Sequence, residues 1–268
     1  MHGEQANICK HSQRRGVSEA KDIKRQQNEP MHIQSLPNGA VEHIACGATF
    51  NVCLLRGGKA LLWGLGECGQ LARKVTGWDA TPPATTMRNA EGDYLFDQIL
   101  ADHMTPKAPE MGDGQPLPPF KAIGAGAYHV FFIASEGRVY AAGLNTYGQL
   151  GLDDELRCVA GNAEPTLVHT QYWQLEPVKP LEGRGITEIV GGHYHSIALA
   201  ASFSEDASES SSAAASQIRD MNGNLGKIYT WGRSDYGQLG VEGVDTKAGG
   251  LYNYPMEVCS ETFDFSVP

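Results

Sequence analysis

Short apolar runs alternate with glycine-bounded turns along the chain, and one plan returns three times. Val41-Glu42-His43-Ile44-Ala45-Cys46 alternates in polarity and stops at Gly47. Phe50 to Leu55 follows, Gly57-Gly58 turns the chain, and Lys59 to Trp63 is a third apolar run. Phe120 to Ile123, His129 to Ile133 and Arg138 to Ala142 repeat the plan, with Gly126 and Glu136-Gly137 in the turns. Ile186 to Val190, His195 to Leu199 and Lys227 to Trp231 repeat it again around Gly192. Runs this short, rich in Val, Ile, Phe and Tyr and closed by glycine, predict strands of an antiparallel meander.

Each third run leads into one signature. Gly64 to Ala72 reads Gly-Leu-Gly-Glu-Cys-Gly-Gln-Leu-Ala, Gly143 to Gly151 reads Gly-Leu-Asn-Thr-Tyr-Gly-Gln-Leu-Gly, and Gly232 to Gly240 reads Gly-Arg-Ser-Asp-Tyr-Gly-Gln-Leu-Gly. Three copies at one place in the plan mark a repeat protein. The glycine before each second strand recurs at positions 47, 126 and 192, a wider spacing than the roughly 40–50 residues of a bare four-stranded unit. The excess falls in residues 73–119, which hold one helical candidate at Asp93 to His103, in 153–180, and in the Ser/Ala-rich acidic stretch 202–224. That last composition predicts a disordered insertion. Residues 1–35 form a polar tail in which Lys10, Arg14, Arg15, Lys21, Lys24 and Arg25 mix with acidic residues, so disorder is expected there too. Leu251 to Val258 and Asn28 to Gln34 both read as the first strand of a further unit, so the chain reads as starting and stopping part-way through a repeat.

Bulk properties narrow the function. The 268 residues carry a formal charge of −10, which argues against a broad electrostatic grip on nucleic acid. Six cysteines form no Cys-x-x-Cys, which fits a reduced compartment. No apolar run approaches the roughly 18 residues of a membrane helix.

Candidate chemistry is sparse. Gly64-Leu65-Gly66-Glu67-Cys68-Gly69 matches a dinucleotide-binding fingerprint, but the sister copies lack its middle glycine and no helix pattern follows. The glycines read as turn residues instead. His193 and His195 invite a metal reading, yet no third ligand stands at a suitable spacing. His129 and His195 share one repeat position, filled by Phe50 in the first copy, which favours a buried, hydrogen-bonded role. Trp63 and Trp231 share a position with Ala142 and read as core. No nucleophile–base pair or paired carboxylates stand out, so neither an enzyme, a cofactor nor a metal is expected.

Gly126-Ala127-Tyr128-His129 with Glu136-Gly137-Arg138-Val139-Tyr140, Gly192-His193-Tyr194-His195, Tyr229-Thr230-Trp231-Gly232 and the three Gly-Gln-Leu copies resemble the regulator of chromosome condensation repeats, over residues 36–260. Within that family the details are most similar to the branch that exchanges nucleotide on the small GTPase Ran. The resemblance implies an all-β fold, an incomplete seven-bladed β-propeller of about three blades of four-stranded antiparallel sheet with long inserted loops. The domains would be the tail 1–35 and a partial propeller 36–268, with repeats near 41–119, 120–185 and 186–260, and the chain would be part of a longer protein. By the same resemblance the function is guanine-nucleotide exchange on a Ran-like GTPase in the nucleus, with chromatin contact through a tail or loop and no membrane or small-molecule substrate. The alternative is a non-exchanging scaffold, with a cytoplasmic location as the alternative address. Partner contacts fall just before the repeat histidine, at Thr49, Tyr128 and Tyr194, and in the variable part of the signature, at Asn145 and Thr146. Thr49 stands where the exchange branch carries Asp, and Tyr194 where it carries His. The family's wedge hairpin belongs to an earlier repeat and has no counterpart here.

Overall fold

The computed structural model describes residues 32–37, 39–75, 102–157, 166–201, 226–241 and 250–258. Two units are distinguished, Met1–Pro37 and Asn38–Pro268. In the first, only a turn is described, where Leu36 N–H donates to Ile33 O. Most of the polar tail, most of the helical candidate and the 202–224 insertion lie outside the described residues; of the helical candidate, residues 102 and 103 are helical.

The second unit is built of antiparallel sheets, as the glycine-punctuated runs predict. Strands β1 (Val41–Cys46), β2 (Phe50–Leu55) and β3 (Ala60–Gly64) form the first sheet in that order. Strands β4 (Phe120–Ala125), β5 (His129–Ala134) and β6 (Val139–Leu144) form the second. After β6 come a two-residue ribbon, β7 (Leu156–Arg157) with β8 (Thr166–Leu167), and then β9 (Gln171–Pro177), which adds to the outer side of β6. The third sheet runs β10 (Ile186–Gly191), β11 (His195–Ala200), β12 (Lys227–Arg233) and β13 (Leu251–Glu257).

Two expectations change. The segment at 251–258 is not the first strand of a further unit but the fourth strand of the third sheet, paired with β12. Pro255 explains the placement, because a residue without an N–H sits on an outer strand at no cost to a ladder. The first sheet has three strands rather than four among the described residues. A single bridge takes the fourth place, where Leu62 and Lys107 exchange both backbone hydrogen bonds.

The sheets stand side by side with β1, β4 and β10 as neighbouring inner strands. Backbone hydrogen bonds from Ala48 N to Ala127 O and from Ala127 N to Gly192 O stitch the inner ends together. Apolar residues fill both seams: Phe50, Val52, Leu62 and Leu71 meet Phe120, Val130 and Phe132 in the first, while Phe131, Ile133 and Leu150 meet Ile186, Ile189 and Trp231 in the second. The middle sheet is therefore covered on both faces, which is why β5 is apolar from Val130 to Ala134 and buried throughout.

The signature turns belong to these seams. Gln70, Gln149 and Gln238 each turn the side-chain carbonyl back onto the N–H two residues earlier, on Cys68, Tyr147 and Tyr236 at 2.7–2.8 Å. Leu71, Leu150 and Leu239 plug the interior. Gly69 packs against the backbone of Tyr172 in the next sheet, and Gly148 against Asn253 in the one after, at distances that leave no room for a Cβ. The last of the dinucleotide-like glycines, Gly69, is thus a spacing element between sheets, while Gly64 and Gly66 pack within their own.

Candidate protein-docking interface

One end of the sheets is assembled from two sets of loops. The first set, just before β2, β5 and β11, carries Thr49, Tyr128 and Tyr194. The second is the variable part of each signature, just after β3, β6 and β12. They are joined at one point per sheet: Leu65 N–H donates to Thr49 O, Leu144 N–H to Tyr128 O and Arg233 N–H to Tyr194 O. Gly64, Gly143 and Gly232 adopt φ of 106–117° there, and a side chain on any of them would collide with those same carbonyls. The repeated glycine therefore presses the two loop sets into one surface.

On the second and third sheets this surface is a continuous aromatic row. Tyr128 meets His193 edge-on at 5.5 Å between ring centroids, and His193 meets Tyr194 at 4.1 Å. Tyr194 packs on Tyr147 at 5.0 Å. The Arg233 guanidinium then lies 4.8 Å from the Tyr147 ring centre, 5.7 Å from Tyr194 and 5.7 Å from Tyr236. Asp235 holds it there through Nε at 2.8 Å and Nη2 at 2.5 Å, and the pairing keeps the Asp235 carboxyl below its usual range. Tyr236 is 83% exposed. Such a cluster of tyrosines beside one arginine has the composition of protein–protein hot spots.

The expected contact residues fall into three groups. Tyr128 and Tyr194 are half-buried members of the row. Thr49 and Thr146 are exposed on the same loops, Thr49 on the first sheet. Asn145 is fully buried and takes no place on the surface. Its Nδ2 donates to Asp154 at 2.6 Å and its Oδ1 accepts from Leu150 N–H at 3.0 Å. Tyr172 donates to the other oxygen of Asp154 at 2.6 Å, and burial lifts the Asp154 carboxyl above its usual range. Asn145 therefore locks its own loop. His193, Tyr147, Arg233 and Tyr236 complete the row; the signal in the sequence was a tyrosine at 147 and 236 where the first copy has Cys68.

Beneath the row lies a polar seam. His129 is fully buried, and its Nε2 is 2.9 Å from Ser196 Oγ. Ser196 donates to Gln149 O at 2.8 Å, and Trp231 Nε1 donates to the same carbonyl at 2.8 Å. With the serine proton committed to the carbonyl, His129 must donate from Nε2, which assigns its tautomer. Burial first, then the neighbouring His195 and His193, push the His129 imidazole down to about 3. Phe50 fills the equivalent place in the first sheet. Trp231 is fully buried as expected, but Trp63 is only half-buried. His193 is a ring in the row through its contacts with Tyr128 and Tyr194.

Comparison with known proteins agrees with this architecture. The family model described as "Regulator of chromosome condensation (RCC1) repeat" matches residues 136–199 and 226–266, and a second model of the same description matches 120–149. Protein pim1 of Schizosaccharomyces pombe is 29% identical over 84% of this chain and 31% of its own length. The probable E3 ubiquitin-protein ligase HERC4 of Homo sapiens is 24% identical over 79% of the chain and 14% of its own length. The chain thus spans about a third or less of these curated relatives. The solved structure of Prp20p from Saccharomyces cerevisiae, reported with its binding to Gsp1p and histones, superposes with a TM-score of 0.52 at 18% identity, covering 90% of this chain and 42% of that one. Residues 120–199 and 226–266 match regulator of chromosome condensation repeats, and the described sheets have the fold of blades of a β-propeller of that type.

Proposed function

We propose that the aromatic face docks a Ran-like small GTPase and that the chain favours the nucleotide-free form, acting as part of a guanine-nucleotide exchange factor. The observation that carries this reading is the unbroken row from Tyr128 to Tyr236, which lies on the face where the sequence resemblance puts the GTPase contacts. Prp20p, with the same fold, was studied for binding to Gsp1p and histones, which supports a GTPase partner, a nuclear address and a chromatin contact through a tail or loop. The mechanism needs no bond-making side chain. A protein that holds the empty GTPase more tightly than the loaded one must, by linkage, weaken nucleotide binding to the same degree.

The test is release of a fluorescent guanine nucleotide from a Ran-like GTPase as this chain is titrated in. Release should accelerate and saturate, and affinity should be higher for the nucleotide-free form. An unchanged release rate with equal affinity for loaded and empty GTPase refutes exchange. That result favours the second reading, a non-exchanging interaction module, which the similarity to HERC4 and the threonine at position 49 support.

A further inference from the structure

The Arg233–Asp235 pair in the aromatic row is asymmetric. The Arg233 side chain is 26% exposed and that of Asp235 only 6%, so the cation faces outward while its counter-ion is covered. The carboxylate uses Nε and Nη2 of the guanidinium, so the fork retains donors at Nη1. Three tyrosine rings surround the guanidinium and fix its plane. The row thus presents a pre-oriented, donor-rich spot with its own acid spent, on a chain whose net charge is otherwise −10.

We propose that Arg233 is the specificity-determining contact of this face and receives a carboxylate, an Asp or Glu side chain on an exposed loop of the protein partner. Charge complementarity selects that partner chemistry, because a planar fork held by Asp235 matches a carboxylate in two-point geometry. A docked partner and the tyrosines together would exclude water around the pair, which raises its worth above that of an open surface contact. A stacking platform for single-stranded nucleic acid would use the same rings, but it also needs a basic groove along the backbone, which the acidic composition disfavours. The inference rests on the docking reading above for the face and adds the chemistry of what docks.

Two probes separate this proposal from that reading. The first is a fluorescent peptide of alternating glutamate and glycine, compared with a lysine–glycine peptide and an oligo-dT strand, at about 0.15 M salt where charges farther apart than about 8 Å are screened. The intact chain should bind the glutamate peptide in preference to both. Arg233→Ala should weaken it about tenfold, and Arg233→Lys should recover less than half of that loss, since an ammonium lacks the fork. The second probe is a nucleotide-free Ran-like GTPase, whose binding should show the same order of variants. Unchanged circular dichroism and melting temperature in Arg233→Lys keep the comparison free of misfolding. Glutamate-peptide binding that ignores both substitutions, or oligo-dT binding that matches or exceeds it, overturns the proposal. If the GTPase fails to bind while the glutamate peptide binds through Arg233, the GTPase reading falls and the carboxylate chemistry stands.

Discussion

Trp231→Ala should cost the protein roughly 3–5 kcal/mol of folding stability and lower its melting temperature by about 10 °C. The indole is fully buried in the seam between the second and third sheets and packs edge-on to Phe131 at 5.8 Å. It also lies against Gly151, whose missing side chain makes the space. Truncation removes most of that contact and leaves a cavity that the flanking strands cannot close, because the hydrogen bond from Ser196 still ties the Gln149 carbonyl into the seam. Trp63 occupies the equivalent strand position in the first sheet but is only half-buried, so Trp63→Ala should cost less than about 2 kcal/mol. Thermal denaturation of both variants checks the difference. Equal losses would mean that the seam between the second and third sheets is not the tightly packed joint described here.

The second large effect is a dependence on pH. The His129 imidazole sits at about 3 in the folded protein and near 6.5 in an unfolded chain. Below about 6.5 the unfolded chain therefore takes up a proton that the folded form refuses. The stability from neutral His129 is fully present above pH 6.5 and is lost as the pH falls from there toward 3, by up to about 1.4 kcal/mol per pH unit. Burial lowers His195 as well, which acts in the same direction. His129→Phe copies the first sheet, where Phe50 fills this place against Gly47 as His129 does against Gly126. Denaturant melts across pH 4 to 7 should show a slope shallower by about one proton in His129→Phe, with neutral-pH stability within about 2 kcal/mol of the parent. An identical slope would contradict the buried, uncharged state assigned to His129.

The repeat signatures made the inner three strands of every sheet legible, because each residue in them has a visible duty: Gln149 closes its turn, Leu150 fills the seam and Gly143 admits the Tyr128 carbonyl. The outer strands were hidden. In β9 only Leu175 is deeply buried, so no alternation announces it. The β13 segment read as the start of a further unit, and only its pairing with β12 shows it to be an outer strand. Asn145 illustrates a different limit. Its variation between copies looked like exposure to a partner, whereas its side chain is buried and bonded to Asp154. The aromatic row was half legible. Tyr128 and Tyr194 stood at repeat positions, but their union with Tyr147 and Arg233 arises where two sheets pack, and one strand pattern cannot report the spacing between sheets.

The face itself is tested most directly by the affinity of a nucleotide-free Ran-like GTPase for Tyr128→Ala and Tyr194→Ala, measured beside Glu136→Ala. Glu136 is exposed in the turn between β5 and β6, at the opposite end of the sheets. Tyr194 joins His193 to Tyr147 and so carries the middle of the row. Tyr194→Ala should weaken binding by about thirtyfold and Tyr128→Ala by somewhat less, in the range of interface hot spots, while Glu136→Ala binds as the parent does. Parent-like binding by both tyrosine variants, with loss in Glu136→Ala, would place the partner on the other end of the propeller and contradict the assignment.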